Sequence, residues 1–193
     1  MNVIIFGPPG AGKGTQAINI VNKFNLHQVS TGDLLRKEVK NQTEIGRDIE
    51  NTISKGDFAT DEIVNELIKK IIFDQDKKNK LIFDGYPRSL SQAKNLDSLL
   101  SSSNQKIDFI FFLNVKKDII IKRIEKRKEL EKRSDDNFAT IIKRYDTYME
   151  TTKPVLDFYS KNPNFYEIDG ASKIEEIKAT LKTIAKSEAI NLF

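Results

Sequence analysis

Val3-Ile4-Ile5-Phe6-Gly7-Pro8-Pro9-Gly10-Ala11-Gly12-Lys13-Gly14-Thr15 runs from a short apolar stretch into a glycine-rich one. The order reads as strand, loop, then a helix starting near Gly14. The spacing Gly7…Gly12-Lys13 is that of a phosphate-binding loop. Glycines are needed there because a side chain would stop the backbone from closing around a phosphate. Their N–H groups then face the anion, and the following helix adds its positive end. Lys13 supplies a mobile charge for the outer phosphates, so the stretch predicts binding of a nucleoside triphosphate. One departure stands out. The residue after the lysine is ordinarily Ser or Thr, whose hydroxyl reaches magnesium. Here it is Gly14, and the hydroxyl follows at Thr15. A strand-to-helix turn that merely tolerates glycine is the competing reading. The preceding strand and the helical pattern that follows argue against it.

The bulk composition bounds the rest. A chain of 193 residues fits one domain with small insertions. An apolar content of 38% supports a core at that length. The net charge of +4 admits nucleic acid as a partner. A site for two anionic nucleotides explains the excess better, because no basic, aromatic-lined stacking surface is visible. With no cysteine, disulfides and thiolate metal sites are excluded, and His27 is the only histidine. A histidine-based metal cluster and a Ser-His-Asp triad are therefore not expected. No apolar run nears the ~20 residues of a membrane helix. The first strand starts almost at Met1, which leaves no room for a signal peptide, and a cytoplasmic location is expected.

Strand and helix patterns alternate. Val3–Phe6, Leu81–Phe83 and Phe109–Val115 read as buried parallel strands, with weaker strands at His27–Val29 and Phe165–Ile168. Helical faces gather Ile63, Leu67, Ile68 and Ile71, then Phe138, Ile141, Ile142 and Tyr145, then Ile174, Ile177 and Leu181. The alternation predicts an α/β three-layer fold, a parallel sheet of five strands flanked by helices. Residues 30–59 read as a helical insertion, and residues 126–136, polar and dense in charge, as an exposed loop. Ser101–Ser103 marks a turn, and the tail after Lys186 is expected to fray.

Further motifs carry chemistry, each with a plainer reading beside it. In Ser30-Thr31-Gly32-Asp33-Leu34-Leu35-Arg36, Ser30 or Thr31 caps a helix and Arg36 lies on it; taken alone, this is a cap and a surface arginine. In Asp84-Gly85-Tyr86-Pro87-Arg88, an acid ends an apolar strand, as at the magnesium sites of P-loop proteins, although such an acid equally serves as a helix cap. Arg123 and Arg127 lie four apart and share a helix face. Arg133 follows a charged run whose lysines and glutamates read as solvated. Asp135, Asp136 or Asn137 suits the cap of the next helix, which carries Arg144.

Together, Gly7–Thr15, Ser30–Arg36, Asp84–Arg88 with Gln92, and Arg133–Asn137 before Arg144 resemble the adenylate kinases of the nucleoside monophosphate kinase family. The matches fall in order and span nearly the whole chain. The resemblance implies an ATP:AMP phosphotransferase, with ADP as the substrate in reverse, Mg2+ as cofactor, and a monomer. It implies that Gly10, Ala11, Gly12, Lys13, Gly14 and Thr15 hold ATP. Arg123, Arg127 and the loop at Ser172 would also serve ATP. Thr31, Arg36, Asp57, Phe58, Ala59, Gly85, Tyr86, Pro87, Arg88 and Gln92 would hold AMP, with Gln92 reading the base. Lys13, Arg88, Arg123, Arg127, Arg133 and Arg144 would be catalytic, with Arg133 and Arg144 bridging both nucleotides. Asp84 would serve the metal through water. Residues 30–59 would be the AMP-binding insertion and 126–136 a short lid with no zinc. A cis bond is expected before Pro87. Asp57-Phe58-Ala59-Thr60 departs from the family's usual pattern.

Three other readings remain at this point. A UMP/CMP kinase can share the short lid, although Thr31 and Gln92 favour adenine. A nucleotide switch lacking a second nucleotide site sits poorly with the Thr31–Arg36 and Asp84–Arg88 motifs. A basic RNA-binding protein would bind RNA with strong salt dependence.

Overall fold

The apolar runs become the strands of a single parallel sheet. Five strands, β1 (Val3–Phe6), β2 (His27–Ser30), β3 (Leu81–Asp84), β4 (Phe109–Asn114) and β5 (Phe165–Asp169), stand in the order β2-β3-β1-β4-β5. All pairings are parallel; Ile4 lies beside Phe83 on one side and Ile110 on the other. The computed structural model describes the backbone of residues 1–55, 57–131 and 138–190, and the side chains of these residues apart from 127–131, 138, 139, 141 and 187–190.

Helices cover both faces, as a parallel sheet requires. On one face Ile4, Phe6, Val29, Leu81, Phe83 and Ile110 pack beneath α4 (Asp61–Ile72), α5 (Leu90–Ser102) and α8 (Lys153–Tyr159). On the other, Val3, Ile5, Ile82, Phe109, Phe111 and Leu113 meet α1 (Lys13–Phe24), α6 (Lys117–Glu131) and α9 (Ile174–Ile190). Adjacent strand residues feed opposite layers, which is why these strands are apolar throughout instead of alternating.

Residues 30–59 carry α2 (Thr31–Lys40) and α3 (Glu44–Ser54) and, among the described residues, no strand beyond the end of β2. Ser30 is the cap of α2, its hydroxyl accepting the Asp33 N–H at 3.3 Å. Gly46 lets α3 lie against α2, since a Cβ there would come within 2.0 Å of the Glu38 carbonyl oxygen.

Three expectations shift. The buried stripe of α4 is Val64, Ile68 and Ile72, with Ile63, Leu67 and Ile71 flanking it. Ile174 is exposed, and α9 packs through Ile177, Leu181 and Ala185. The charged stretch from Lys126 is not loop as far as Glu131, because α6 continues through it. Lys, Arg, Glu and Leu are strong helix formers, and neither glycine nor proline interrupts them. Residues 132–137, with Arg133 and the proposed caps Asp135, Asp136 and Asn137, lie outside the described residues. Between α7 (Phe138–Thr147) and α8 the helix widens into a π turn at Tyr148–Thr152.

Candidate active site

β1 is where the chain's strand order changes direction, with β3 to one side and β4 to the other. Ligands of open parallel sheets gather at the carboxyl ends of strands at such a point. The glycine-rich loop leaves β1 there. Gly10 has φ 81°, and a Cβ on it would sit 2.7 Å from Ile124 on α6. Glycine is thus required both by the turn and by the helix behind it. α1 begins at Lys13, so its free N–H groups point out of the loop. The Lys13 ammonium donates to the carbonyls of Gly7 at 2.7 Å and Pro8 at 3.1 Å, which holds it across the loop mouth. Arg123, from α6, reaches the same loop and donates to the Ala11 carbonyl at 3.2 Å.

The opposite wall is built from the end of β3 and the start of α2. The Thr31 hydroxyl and the Arg88 Nε both donate to the Gly85 carbonyl, at 2.7 and 2.8 Å. This ties the two motifs to one another. The peptide between Tyr86 and Pro87 is cis. The Arg88 guanidinium stacks 4.2 Å from the centre of the Phe58 ring. Burial lowers its pKa to about 10; the nearby Arg144 and Arg36 push the same way and Asp84 opposes them. It therefore remains charged at neutral pH. Asp84 sits between the two walls, where its Oδ2 accepts from Gln28 Nε2 at 3.3 Å and would lie 3.7 Å from a Cβ placed on Gly14.

Between the walls lies a cleft of about 950 Å³. Gly10 to Thr15, Thr31, Arg36, Asp57, Phe58, Ala59, Asp84, Gly85, Pro87, Arg88, Gln92, Arg123, Arg144 and Ser172 all line it. The glycine-rich loop, with Lys13 and Arg123, thus shares one cavity with Arg36, Arg88 and Arg144. Such a surface suits two polyanions, since planar guanidinium forks bind phosphate through paired hydrogen bonds.

Comparison with known proteins agrees with this geometry. A family model described as adenylate kinase matches residues 5–164. An adenylate kinase of Pelagibacter ubique (strain HTCC1062) is 50% identical over 212 aligned positions, covering 96% of this chain and 100% of that protein. Those of Mycoplasma capricolum subsp. capricolum, 40% identical over 87% of this chain and 91% of theirs, and Thermobifida fusca, 38% over 98% and 100%, are also similar. The chain belongs to the adenylate kinase family. The adenylate kinase motifs quoted above fall within the matched region, apart from Ser172, which follows it.

Not every residue that the resemblance named faces the cleft. The Tyr86 side chain is buried in the core, with its hydroxyl donating to Asn65 Oδ1 at 2.7 Å, and Tyr86 does not line the cleft. An aromatic ring beside Phe83 gains more from burial than from the rim. Arg127 lies on α6, its side chain outside the described residues, and Arg133 lies outside them altogether. Asp57 pairs with Lys143 of α7 at 2.6 Å. Gln28, Tyr148 and Thr152 also line the cleft, unforeseen from the sequence. Tyr148 and Thr152 follow Arg144 at helical intervals, a signal that spacing alone does carry. Thr152 donates to the Arg88 carbonyl at 3.2 Å.

Proposed function

We propose that the chain transfers the terminal phosphoryl group of ATP to AMP, reversibly, giving two ADP. The observation that carries this reading is the single cleft with the phosphate loop on one wall and Arg36, Arg88 and Arg144 on the other. No general base is needed, because the attacking AMP oxygen is already ionised at neutral pH. The difficulty lies in bringing two polyanions into line, so positioning and charge neutralisation supply the rate. In this reading Lys13 holds the transferred phosphoryl group. Arg123 and Arg127 serve ATP, with Ser172 beside its base. Arg36 and Arg88 hold the AMP phosphate, and Arg133 and Arg144 bridge the reacting groups. Thr31, Gln92 and the backbone of 57–59 and 85–87 seat the rest of AMP.

The residues present suit magnesium. Among the described residues no three His, Cys, Asp or Glu side chains converge as a metal cage. Asp84 offers one oxygen-donor carboxylate beside the phosphate loop, and Mg2+ is ordinarily held by such a carboxylate, waters and substrate phosphates. When bound, it would supply charge neutralisation on the phosphates, and Asp84 would hold it through water. Residues 30–59 act as the AMP-binding insertion and 126–136 as a short lid, and their closure excludes water. The Pelagibacter alignment, at 212 positions, is longer than this 193-residue chain, which supports the absence here of a segment that the relative carries. We take the protein to act as a cytoplasmic monomer without nucleic-acid or membrane partners. Among the described residues no helix is long and apolar enough to cross a membrane.

A coupled assay of ADP formation from ATP, with AMP, UMP or CMP as acceptor and with or without magnesium, tests the proposal. AMP should be the preferred acceptor and magnesium required. A clear preference for UMP or CMP, or ADP release independent of any monophosphate, would contradict it.

A further inference from the structure

Gln92 stands three residues after Ser89, the cap of α5, which is the spacing of a capping box. In such a box the glutamine amide turns back to a backbone N–H, and here Oε1 accepts the Arg88 N–H at 2.7 Å. The nitrogen end is held as well. Nε2 donates to Asp61 Oδ1 at 2.7 Å, and Asp61 Oδ2 accepts the Ser89 hydroxyl at 2.9 Å. Ser89 Oγ in turn accepts the Gln92 N–H at 3.1 Å. Asp61 lies in the first turn of α4, so its carboxylate clamps the first turn of a different helix.

These partners leave the amide one orientation. The Arg88 N–H only donates and so requires the amide oxygen; the carboxylate only accepts and so requires the amide nitrogen. A half-turn of the amide would set acceptor against acceptor and donor against donor. After these bonds, Gln92 has one N–H and one lone pair left. It is buried and lines the cleft. Adenine presents a donor at N6 beside an acceptor at N7, whereas guanine presents two acceptors on that edge.

We propose that Asp61 is a positioning residue: by fixing the Gln92 amide it sets which hydrogen-bonding groups the cleft shows to the acceptor base. The proposal rests on the reading of Gln92 as the base-facing residue. Without Asp61 the amide keeps only its Arg88 partner, and selection for a base with adjoining donor and acceptor weakens.

A double-mutant cycle tests it. The KM values for AMP and ATP, and the AMP-to-GMP ratio of kcat/KM, are measured for Asp61→Ala, Gln92→Ala and the double variant, with thermal melts alongside. Loss of base contacts should raise the AMP KM about tenfold in Gln92→Ala and at least about threefold in Asp61→Ala. The double variant should match Gln92→Ala within about twofold, the ATP KM should hold within about twofold throughout, and the AMP-to-GMP ratio should fall in every case. Asp61→Asn, nearly isosteric and keeping an acceptor oxygen, should behave like the parent and serves if Asp61→Ala does not fold. Additive effects overturn the proposal. So does an Asp61→Ala variant with parental AMP KM and AMP-to-GMP ratio, or an Asp61→Asn variant that loses AMP affinity. A Gln92→Ala variant with unchanged AMP KM instead overturns the base-facing reading of Gln92.

Discussion

Arg88 carries a burden that its surroundings relieve only in part. Burial and two neighbouring guanidinium groups weigh against its charge; Asp84 is the one charged neighbour that favours it, helped by the Phe58 ring and the Gly85 carbonyl. A phosphate dianion would offset all of these at once, which is how a cationic cluster gains selectivity for an anion. Arg88→Ala should therefore lower kcat/KM by two or more orders of magnitude, about 3 kcal/mol. Its melting temperature should stay near that of the parent. Near-normal turnover in the coupled assay would remove Arg88 from the mechanism. Asp97, on α5 but not among the residues that line the cleft, offers a pH test. Burial raises its pKa, while the Tyr159 hydroxyl donating at 3.2 Å pulls the other way. The folded state thus holds this proton to higher pH than the unfolded chain does. Stability is lost as pH rises from the ordinary aspartate value, about 4, through the folded one, and the deficit persists above it. Asp97→Asn should melt higher than the parent at pH 7, with the difference vanishing below about pH 4. An equal or lower melting point at pH 7 would contradict this account.

At the scale of elements, the insertion is where a single atom matters most. α2 and α3 approach so closely at Gly46 that an added Cβ would overlap the Glu38 carbonyl, which is backbone and cannot swing aside. Gly46→Ala should destabilise by roughly 1–3 kcal/mol, as overpacking does, and should raise the AMP KM more than the ATP KM. An unchanged melting curve would show that the helices part freely. The elements also show what the sequence made readable. β1, β3 and β4 were plain because buried parallel strands are apolar at every position, and α2 because Ser30 is a strong cap. Spacing alone sets the stripe of α4 one residue off because Ile63, Val64, Leu67 and Ile68 are apolar side by side, and only packing selects the centre. The run from Lys126 to Glu131 reads as loop from its charge, although charge alone does not break a helix. Asp61 gave no sign, since its bond to Gln92 joins residues 31 apart on two helices and follows no periodicity. The glycine-rich loop and the Asp84–Arg88 turn, both at the cleft, are legible for the opposite reason: each is a contiguous motif.

For the whole molecule, one parallel sheet sets both walls of the cleft. β1 delivers the phosphate loop, β3 delivers Asp84 to Arg88, and β2 leads into α2 with Thr31 and Arg36, all at the same strand ends. Neither wall is sufficient alone: the loop and Arg123 suit a triphosphate, and the Gly85–Arg88 turn with Thr31 and Gln92 suits a monophosphate. The claim on which function depends is that one cavity seats both adenylates with their phosphates meeting. Calorimetric titration with a compound joining two adenosines through five phosphoryl groups measures this most directly. One molecule should bind per chain and displace both ATP and AMP. Failure to bind, or displacement of ATP while AMP stays bound, would contradict it.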